Sequence, residues 1–424
     1  MDLIRTDERA GALSGGMAAC WLIGFLLAPG GCRNEPQAGT AALPVGSAAQ
    51  AGIPEGIQIE TNTFTSAHVC GACHQAIHAS WQQSMHSRAF TNGVFQASYR
   101  EAKRLYPTEH AQLCLTCHAP TVRNTGDYAA QLPMTKEGVT CDFCHSVRGV
   151  NLDTPQEVFE LSLGRTKYGP LRHAQSPAHM TLHSELHLHS ALCAGCHEYH
   201  NHRGVAVLET YSEWKASPYA GEGKHCQNCH MPLIPGRVAA LGLKTAARDG
   251  LNLHDISGSR DLERVRQAVH MTILRAERMG EERVDVQISV RNAGCGHCFP
   301  TGLPTHRAEL EVTLTDRGRT VGRRTIAFEK VLLNEQGLPL TREHELFVEA
   351  HSIRSDTRLR PKEQRLVDVV FRGASAPEGV VKAALWYEYP TRTLVTRDGV
   401  ETTEPVEMKY LVASAKRPLP PAGD

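Results

Sequence analysis

Hydrophobic and polar positions follow different patterns at the two ends of the chain and in its middle. Near the start, Arg5 and Arg9 precede a small and apolar run from Gly11 to Ala28. Such a run is typical of an export signal, and it is shorter than a comfortable membrane span. We therefore predict an export signal over residues 1–32, with a retained membrane anchor as the alternative. We expect no transmembrane helix in the mature chain.

Cys32 follows a stretch that is similar to a bacterial lipoprotein cleavage site, although Pro29 stands where Leu is usual. Two outcomes stay open: a lipid anchor at Cys32, or plain cleavage nearby that removes Cys32 or leaves it as a free thiol. Residues 33–58 have almost no large apolar side chains and cannot offset their ordering entropy by burial, so they predict a flexible tether. Either way we expect the mature chain outside the cytoplasm.

The C-terminal part alternates between apolar and polar positions, which is typical of half-buried strands. Turn signals at residues 316–318 and 398–399 separate such runs and predict hairpins. The predicted strands are Val284–Val290, Ala308–Leu314, Leu366–Phe371 and Ala383–Tyr389. Several short strands at this spacing predict a β-sandwich.

The middle of the chain, by contrast, shows little sustained periodicity. The whole pattern predicts an α + β protein in which a mainly helical, loop-rich domain is followed by a C-terminal β-sandwich. The predicted divisions are the export signal (1–32), the tether (33–58), the helical domain (59–235), a linker (236–265), the sandwich (266–415) and a tail (416–424).

The composition excludes some partners and draws attention to two residue types. The 424 residues contain 45 Lys and Arg against 45 Asp and Glu, so no overall charge attracts nucleic acid or an anionic membrane. We expect no nucleic-acid partner. The chain is rich in Cys (14) and His (23), which indicates disulfides, metals or covalent cofactors. The spacing of these residues decides among the three.

Five segments share one pattern, two Cys separated by two residues and followed at once by His. This is the attachment signature of c-type haem, in which the thiols form thioethers with the two vinyl groups and the His ligates the iron. Paired zinc knuckles are the alternative, but they do not require a His after every second Cys. The expected attachment cysteines are Cys70, Cys73, Cys114, Cys117, Cys141, Cys144, Cys193, Cys196, Cys226 and Cys229. The expected proximal iron ligands are His74, His118, His145, His197 and His230.

Five haem c groups between Cys70 and His230 leave too few apolar side chains for a conventional core. The porphyrins themselves must then form the core, wrapped by short helices that carry the pentads. Neighbouring haems are forced close together, and electron transfer along the protein needs that closeness.

Each iron has a sixth position, and a second neutral His there gives a low-spin centre suited to electron transfer. His86 is the first candidate, because Trp81 and Met85 lie one helical turn apart beside it and can pack on a ring. A later repeat of this spacing places Tyr219 where His86 stands, and we expect that Tyr to pack rather than ligate. His179 is the candidate from the His-rich stretch around the fourth pentad. A solvated loop is the alternative for most of that stretch.

Several motifs resemble those of a known family. They are the five pentads, Trp81–His86, Gly138–His145, Tyr211–Trp214, Gln227–Pro232 and Asn292–Gly302. Over most of residues 64–315 the chain resembles multihaem c-type cytochromes related to the tetrahaem cytochrome of ammonia-oxidising bacteria. The last motif is similar to the Gly-His-x-x-Pro-Thr-Gly loop that opens a β domain in many of these proteins.

The resemblance implies two further distal ligands, His254 and His297, the second of which would reach back to a haem from the β domain. A loop His held by backbone hydrogen bonds is the alternative. Cys295 and Cys298 flank His297, but Phe299 follows the second Cys, so this segment is no sixth pentad. In an oxidising compartment we expect these two cysteines to form a disulfide that holds the loop.

Three classes of function are open at this stage. We expect a periplasmic or cell-surface multihaem c-type cytochrome that carries electrons along five haems, between redox partner proteins in the periplasm or membrane. The alternative is a haem-based oxidoreductase that reduces a small nitrogen or sulfur oxyanion at a haem with an open coordination site. A binding module, in which the β-sandwich docks a partner complex, is the third class. Electron transfer is favoured over an enzyme.

Overall fold

The computed structural model describes residues 57–153, 158–239, 248–389 and 409–421, with the backbone alone for 248–250. The predicted export signal, Cys32, nearly all of the tether and the turn at 398–399 lie outside these residues. The described residues belong to one compact unit, Ala51–Asp424. Within them, no helix combines the length and the apolar character that a membrane span needs.

Short helices dominate the chain before residue 231. Four of the five pentads lie on a helix, which brings two Cys three positions apart to one face; the first pentad spans the junction of two helices. The helices are α1 (Ala67–Gly71), α2 (Gln75–Gln83), α3 (Gly93–Leu105), α4 (Thr108–His118), α5 (Val122–Thr125), α6 (Pro133–Lys136), α7 (Cys141–Ser146), α8 (Ala191–His197), α9 (Thr210–Lys215), α10 (Pro218–Gly221), α11 (Cys226–His230), α12 (Leu262–Ala268) and α13 (Glu343–Glu349), with a 3-10 helix at Glu185–Leu188.

Helix α3 illustrates how the sequence places these elements. The Asn92 side chain caps its first turn by accepting hydrogen bonds from Val94 N (3.1 Å) and Phe95 N (3.2 Å). The apolar face of α3 buries Phe95 and Tyr99 in one cluster with Leu115 of α4. This packing carries the second pentad, at the end of α4, into the interior.

Short two-stranded ladders join these helices. The sequence pattern does not predict them, because each strand is too short to show alternation. They pair β1 (Val147–Val150) with β2 (Phe159–Leu161), β3 (Thr166–Gly169) with β4 (Met180–His183), β5 (Tyr199–His200) with β6 (Ala206–Leu208), and β7 (Leu233–Gly236) with β8 (Arg248–Asn252).

Two antiparallel sheets share a core after residue 268. The strands are β9 (Val269–Arg278), β10 (Arg283–Asn292), β11 (Arg307–Asp316), β12 (Arg319–Phe328), β13 (Lys330–Leu333), β14 (Ser352–Asp356), β15 (Gln364–Arg372), β16 (Gly379–Glu388) and β17 (Lys409–Pro418). One sheet has the order β15-β10-β9 and the other β12-β11-β16-β17, while β13 and β14 form a separate ladder. Alternate side chains of both sheets fill the core, among them the fully buried Ile288, Leu310 and Leu385.

All four strands predicted by alternation are present, within or overlapping β10, β11, β15 and β16. The predicted hairpin at 316–318 joins β11 to β12. Arg317 (φ 44°) and Gly318 (φ 82°) both adopt left-handed backbone there, which Gly tolerates without strain. The structure thus contains the helices and strands of an α + β protein.

Residues 236–265, predicted as a linker, contain regular structure. Leu251 is buried where β8 pairs with β7. The Asp261 side chain caps α12 by accepting from Glu263 N (3.1 Å) and Arg264 N (3.2 Å). At the other end, β17 continues to Pro418 and passes the predicted sandwich boundary at 415.

The helical region, residues 57–239, contacts the sandwich region, by which we mean the described residues from 269 onward. Val205 and Val207 share a hydrophobic cluster with Leu332 and Leu346 of the sandwich region. Helix α13 also packs on α3. Loops of the sandwich region can therefore reach side chains of the pentads.

Candidate haem-binding site

One connected cavity of about 1760 Å³ extends through the helical region to the sandwich region. Every Cys and His of the five pentads lines it, and so do the four distal candidates His86, His179, His254 and His297. Folding thus gathers these residues around a single interior space. Such a space fits a set of stacked porphyrins that replace a conventional core.

Backbone carbonyls hold four of the five pentad histidines through Nδ1. A carbonyl oxygen only accepts, so each Nδ1 carries the proton, and Nε2 keeps the lone pair that a metal requires. The bonds join His74 to Val238 O (2.6 Å), His118 to Ala89 O (2.9 Å), His145 to Tyr168 O (2.6 Å) and His230 to Ser257 O (2.7 Å).

Four pentad histidines each face a second imidazole. The ring-centroid separations are His74–His179 (6.3 Å), His197–His86 (6.3 Å), His145–His254 (6.4 Å) and His230–His297 (6.3 Å). A metal–imidazole bond is about 2 Å long and the ligating nitrogen lies about 1 Å from the ring centre, so two imidazoles on opposite sides of one metal have centroids about 6 Å apart. All four pairs have this separation, and the second member of each is a distal candidate from the sequence.

Local hydrogen bonds orient the distal candidates as well. Nδ1 of His179 donates to Met180 O (3.0 Å), Nδ1 of His254 donates to Asn252 O (2.7 Å), and Nδ1 of His297 donates to Cys298 O (2.9 Å). The His86 carbonyl accepts from Val139 N (2.9 Å), and Trp81 Nε1 donates to Val139 O (3.0 Å). The Trp81 predicted to pack near His86 therefore ties α2 to the same segment that holds His86.

Burial favours the neutral form of three imidazoles of the cavity, those of His86, His230 and His254. Desolvation lowers the pKa of His86 to about 3, and the neighbouring His197 adds to the effect. Desolvation also lowers the pKa values of His230 and His254 to about 4. Neutral imidazole is the form that ligates iron, so these side chains are ready to ligate at neutral pH.

His118 differs from the other pentad histidines. Its ring stacks on Phe95 with centroids 3.9 Å apart and planes at 10°. Among the described residues, no second imidazole faces His118 as in the four pairs. Phe95 was not predicted from the sequence, where its only signal is its place on the apolar face of α3.

Thiols of different pentads lie close together at three places. Cys70 lies beside Cys141, Cys117 beside Cys196, and Cys193 beside Cys226. Cys144 also lies within electrostatic range of Cys193. The third pentad therefore lies beside the first and the fourth, and the fourth also lies beside the second and the fifth. All five pentads form one connected group that branches at the fourth.

The expected disulfide between Cys295 and Cys298 is wrong, because both are free thiols. Glu213 lies within electrostatic range of both thiols, while Cys229 and Arg264 lie near Cys295 only and Arg358 lies near Cys298 only. Burial raises the pKa of each thiol to about 12, so both stay protonated. The loop is held by other bonds.

Two other side chains from the sequence analysis make packing contacts. Tyr219 donates through its OH to Ala293 O (3.4 Å), and Lys362 Nζ lies 4.2 Å from the centre of its ring. His187, in the His-rich stretch, stacks on His145 (5.4 Å) and bonds Cys144 O through Nε2 (3.0 Å). Among the described residues, no three His, Cys, Asp or Glu side chains are grouped so that they could hold a metal ion.

Comparisons with known proteins agree with these observations. Residues 69–146, which contain the first three pentads, match a family model described as "Cytochrome c554 and c-prime". The structure is similar to "a penta-heme cytochrome c552 from Thermochromatium tepidum", with a TM-score of 0.65 and 22% identity over 84% of this chain and 98% of that chain. No curated protein sequence matches the chain.

Two β-glucosidase structures resemble only a part of the chain. The enzyme from Listeria innocua has 9% identity over 36% of this chain and 16% of that chain, and the one from Thermotoga neapolitana has 10% identity over 42% and 19%. Both TM-scores are 0.15, too low to support any argument. The likeness to the penta-haem protein extends over most of both chains, and the chain therefore has the fold of a multihaem c-type cytochrome.

Proposed function

We propose that the protein binds five haem c groups covalently through its ten pentad cysteines. The pentad histidines are the proximal iron ligands. His86, His179, His254 and His297 are the distal ligands of the fourth, first, third and fifth haems. The four imidazole pairs carry this proposal, since their separations of 6.3 to 6.4 Å suit one iron between each pair.

We infer from this arrangement that the protein carries electrons. When bound, haem iron supplies reversible one-electron exchange. The chain holds two imidazoles in place on each of four sites, so ligation stays the same in both oxidation states. The contacts between thiols of different pentads keep neighbouring attachment sites side by side, which gives electrons a continuous route.

We propose that the protein works in the periplasm or at the cell surface, between redox partner proteins in the periplasm or membrane. The apolar segment near the N-terminus supports export, and Cys32 would supply a lipid anchor. Within the multihaem c-type cytochromes, the Trp81–His86 and Asn292–Gly302 motifs favour relatives of the tetrahaem cytochrome of ammonia-oxidising bacteria. Mass spectrometry of the N-terminal peptide from exported protein tests both cleavage and lipidation.

Electron paramagnetic resonance with haem quantitation tests the main proposal. Protein made in a host competent in cytochrome maturation should exceed the mass of its polypeptide by five haems. Four irons should give low-spin signals. A holoprotein whose spectrum is dominated by high-spin iron would contradict the four bis-His sites.

His118 favours a second candidate function. Since no imidazole faces it among the described residues, the second haem would keep an open coordination site. We propose that a small nitrogen or sulfur oxyanion could bind and be reduced there. Titration with nitric oxide or cyanide tests this idea, which requires one haem that binds the added ligand. If no haem binds the added ligand, the second candidate function is contradicted and electron transfer remains the proposed function.

A further inference from the structure

Glu213, on α9, lies where the helical region meets the loop that carries His297. Its side chain is 6% exposed. Two groups of the loop donate to its Oε2 atom, Cys298 N at 3.0 Å and Thr301 Oγ1 at 2.6 Å. Because Cys298 directly follows His297, a carboxylate of the helical region fixes the backbone beside the fifth distal ligand.

Arg358 supplies the charge that balances Glu213. Its Nη1 donates to Glu213 Oε1 at 2.6 Å, while Nε and Nη2 bind Asp356 at 2.9 and 2.7 Å. These carboxylates outweigh the effect of burial and raise the pKa of Arg358, so the guanidinium stays charged. A buried carboxylate that is both ion-paired and hydrogen-bonded is held in one geometry.

The other side of the loop is held by the sandwich region alone. Asn292 Nδ2 donates to His297 O (2.8 Å), and Phe299 exchanges backbone hydrogen bonds with Leu359 (2.8 and 2.9 Å). These bonds keep the shape of the loop but do not fix its distance from His230, which belongs to the helical region.

Three side chains of the helical region reach across to the loop. Thr210 Oγ1 meets Thr301 Oγ1 at 3.0 Å, and the Tyr219 OH bonds Ala293 O at 3.4 Å. Glu213 makes the charged contact and reaches the residue next to His297. It is therefore the strongest link between the loop and the helical region.

We propose that Glu213 is a positioning residue for His297: paired with Arg358, it sets the separation of His297 from His230 and keeps the fifth haem six-coordinate. The inference rests on the proposed function, because it takes His297 as the distal ligand of that haem. Without the carboxylate, Cys298 N and Thr301 Oγ1 lose their acceptor and the loop moves away from the helical region. The effect stays confined to one haem, since the other three pairs use other segments.

The test compares purified, fully haem-loaded variants by electron paramagnetic resonance and potentiometric titration. In Glu213→Ala, one low-spin signal should be lost, a high-spin signal of matching size should appear, and one midpoint potential should shift. Added imidazole should restore the low-spin signal. Glu213→Gln retains an oxygen acceptor but loses the charge, so a smaller high-spin fraction is expected. Asp356→Asn is the control, because it removes another carboxylate that pairs with Arg358 and leaves the loop contacts intact.

A His297→Ala variant distinguishes failure of the proposed ligand assignment from failure of the positioning role of Glu213. If it keeps the wild-type spectrum, the ligand assignment in the proposed function fails. If it becomes high-spin while folded Glu213→Ala keeps every low-spin signal and midpoint, the positioning role alone is overturned. If Glu213→Ala does not accumulate, Glu213→Gln is compared with Asp356→Asn by the same low-spin and high-spin signals. Identical spectra of these two variants overturn the proposal.

Discussion

At the scale of single residues, ligation and packing by histidine can be told apart. His254 and His187 both face His145, with centroids 6.4 and 5.4 Å away. His254 has the spacing of a shared metal and uses Nδ1 for its backbone bond, which leaves Nε2 free. His187 instead uses Nε2 to bond Cys144 O. The two residues therefore form a matched pair for mutation.

We predict that His254→Ala converts one haem from low spin to high spin, because the third iron loses its sixth ligand. His187→Ala should leave all spin states unchanged. Electron paramagnetic resonance of the two oxidised variants provides the measurement. The opposite result, with a spin change only in His187→Ala, would contradict the pairing of His145 with His254.

Glu343 gives the protein a pH-dependent contribution to stability. Burial raises the pKa of its carboxyl from an ordinary 4.5 to about 7, with the Ser98 hydroxyl (3.3 Å) and the charge of Arg260 opposing the rise. The folded state thus binds this proton more tightly than the unfolded state. The stabilisation is fully present below about pH 4.5 and is lost as pH rises through 7, with an upper limit of about 3 kcal/mol.

Glu343→Gln should remove that dependence, because the amide does not ionise. Thermal melting of the holoprotein between pH 5 and 8 provides the check: the variant should gain stability over wild type as pH rises. Glu335→Gln, at an exposed turn position, serves as the control. A parallel pH dependence in wild type and Glu343→Gln would show that the carboxyl does not ionise in this range.

The chemistry of single residues was predictable from the sequence only where the spacing of residues along the chain indicates it. Each pentad carries the haem-attachment signature in five consecutive positions, and His86 lies in a motif of its own, Trp81–His86. Glu213 and Phe95 carry no such local signal. Glu213 acts on residues 85 and 88 positions away, and Phe95 acts on His118 from another helix. Their roles arise from tertiary contacts that no local pattern records.

At the scale of elements, the two regions differ in what makes their structure stable. The sandwich strands show period-two alternation and bury a continuous apolar core, so the sequence predicts them well. The pentad helices have 5 to 11 residues. Isolated helices below about 12 residues are marginal in water, so these need a partner to pack on. The pentad helices line the large cavity, and the haems proposed to bind there would supply that partner.

Chain made without haem should therefore lose the helical region and retain the sandwich. We predict reduced helical circular dichroism, with trypsin cleaving within residues 57–231 and sparing the strands from Val269 onward. Mass mapping of the fragments checks this, and the holoprotein serves as the control. Apoprotein with native helix content and protected pentads would show that the chain alone builds the cavity walls.

At the scale of the whole molecule, the facing imidazoles come from segments that are distant in sequence. His86 follows the first pentad in sequence but faces His197 of the fourth, and His179 precedes the fourth pentad but faces His74 of the first. The sequence could name these histidines but could not pair them, because pairing depends on how short helices pack around the cavity. For the same reason the adjacency of the thiols was not predictable.

We predict that the fifth proposed attachment site is the most open route for electrons to enter or leave. Of the ten pentad cysteines, all of which the structure describes, Cys229 alone is exposed. Arg264 Nη1 donates to Cys229 O (2.8 Å), and Lys224 lies within electrostatic range of the same residue. Lys362 lies over the ring of Tyr219, and Glu222 pairs with Lys224 at 2.8 Å. We predict that the positive charges of Arg264 and Lys362 favour an acidic redox partner, since complementary charge speeds encounter.

We predict that Lys362→Glu slows reduction by an acidic electron-transfer protein roughly two- to tenfold at low salt, because charge reversal weakens electrostatic steering. Haem potentials and spin states should not change, since Lys362 is exposed and does not contact any proposed ligand. Stopped-flow reduction at several ionic strengths measures the effect, which should shrink as salt screens the charges. Lys382→Glu, exposed on β16, is the matched control and should keep the wild-type rate. Equal slowing by both variants would mean that the overall charge of the protein, rather than the charges near Cys229, governs the rate of encounter.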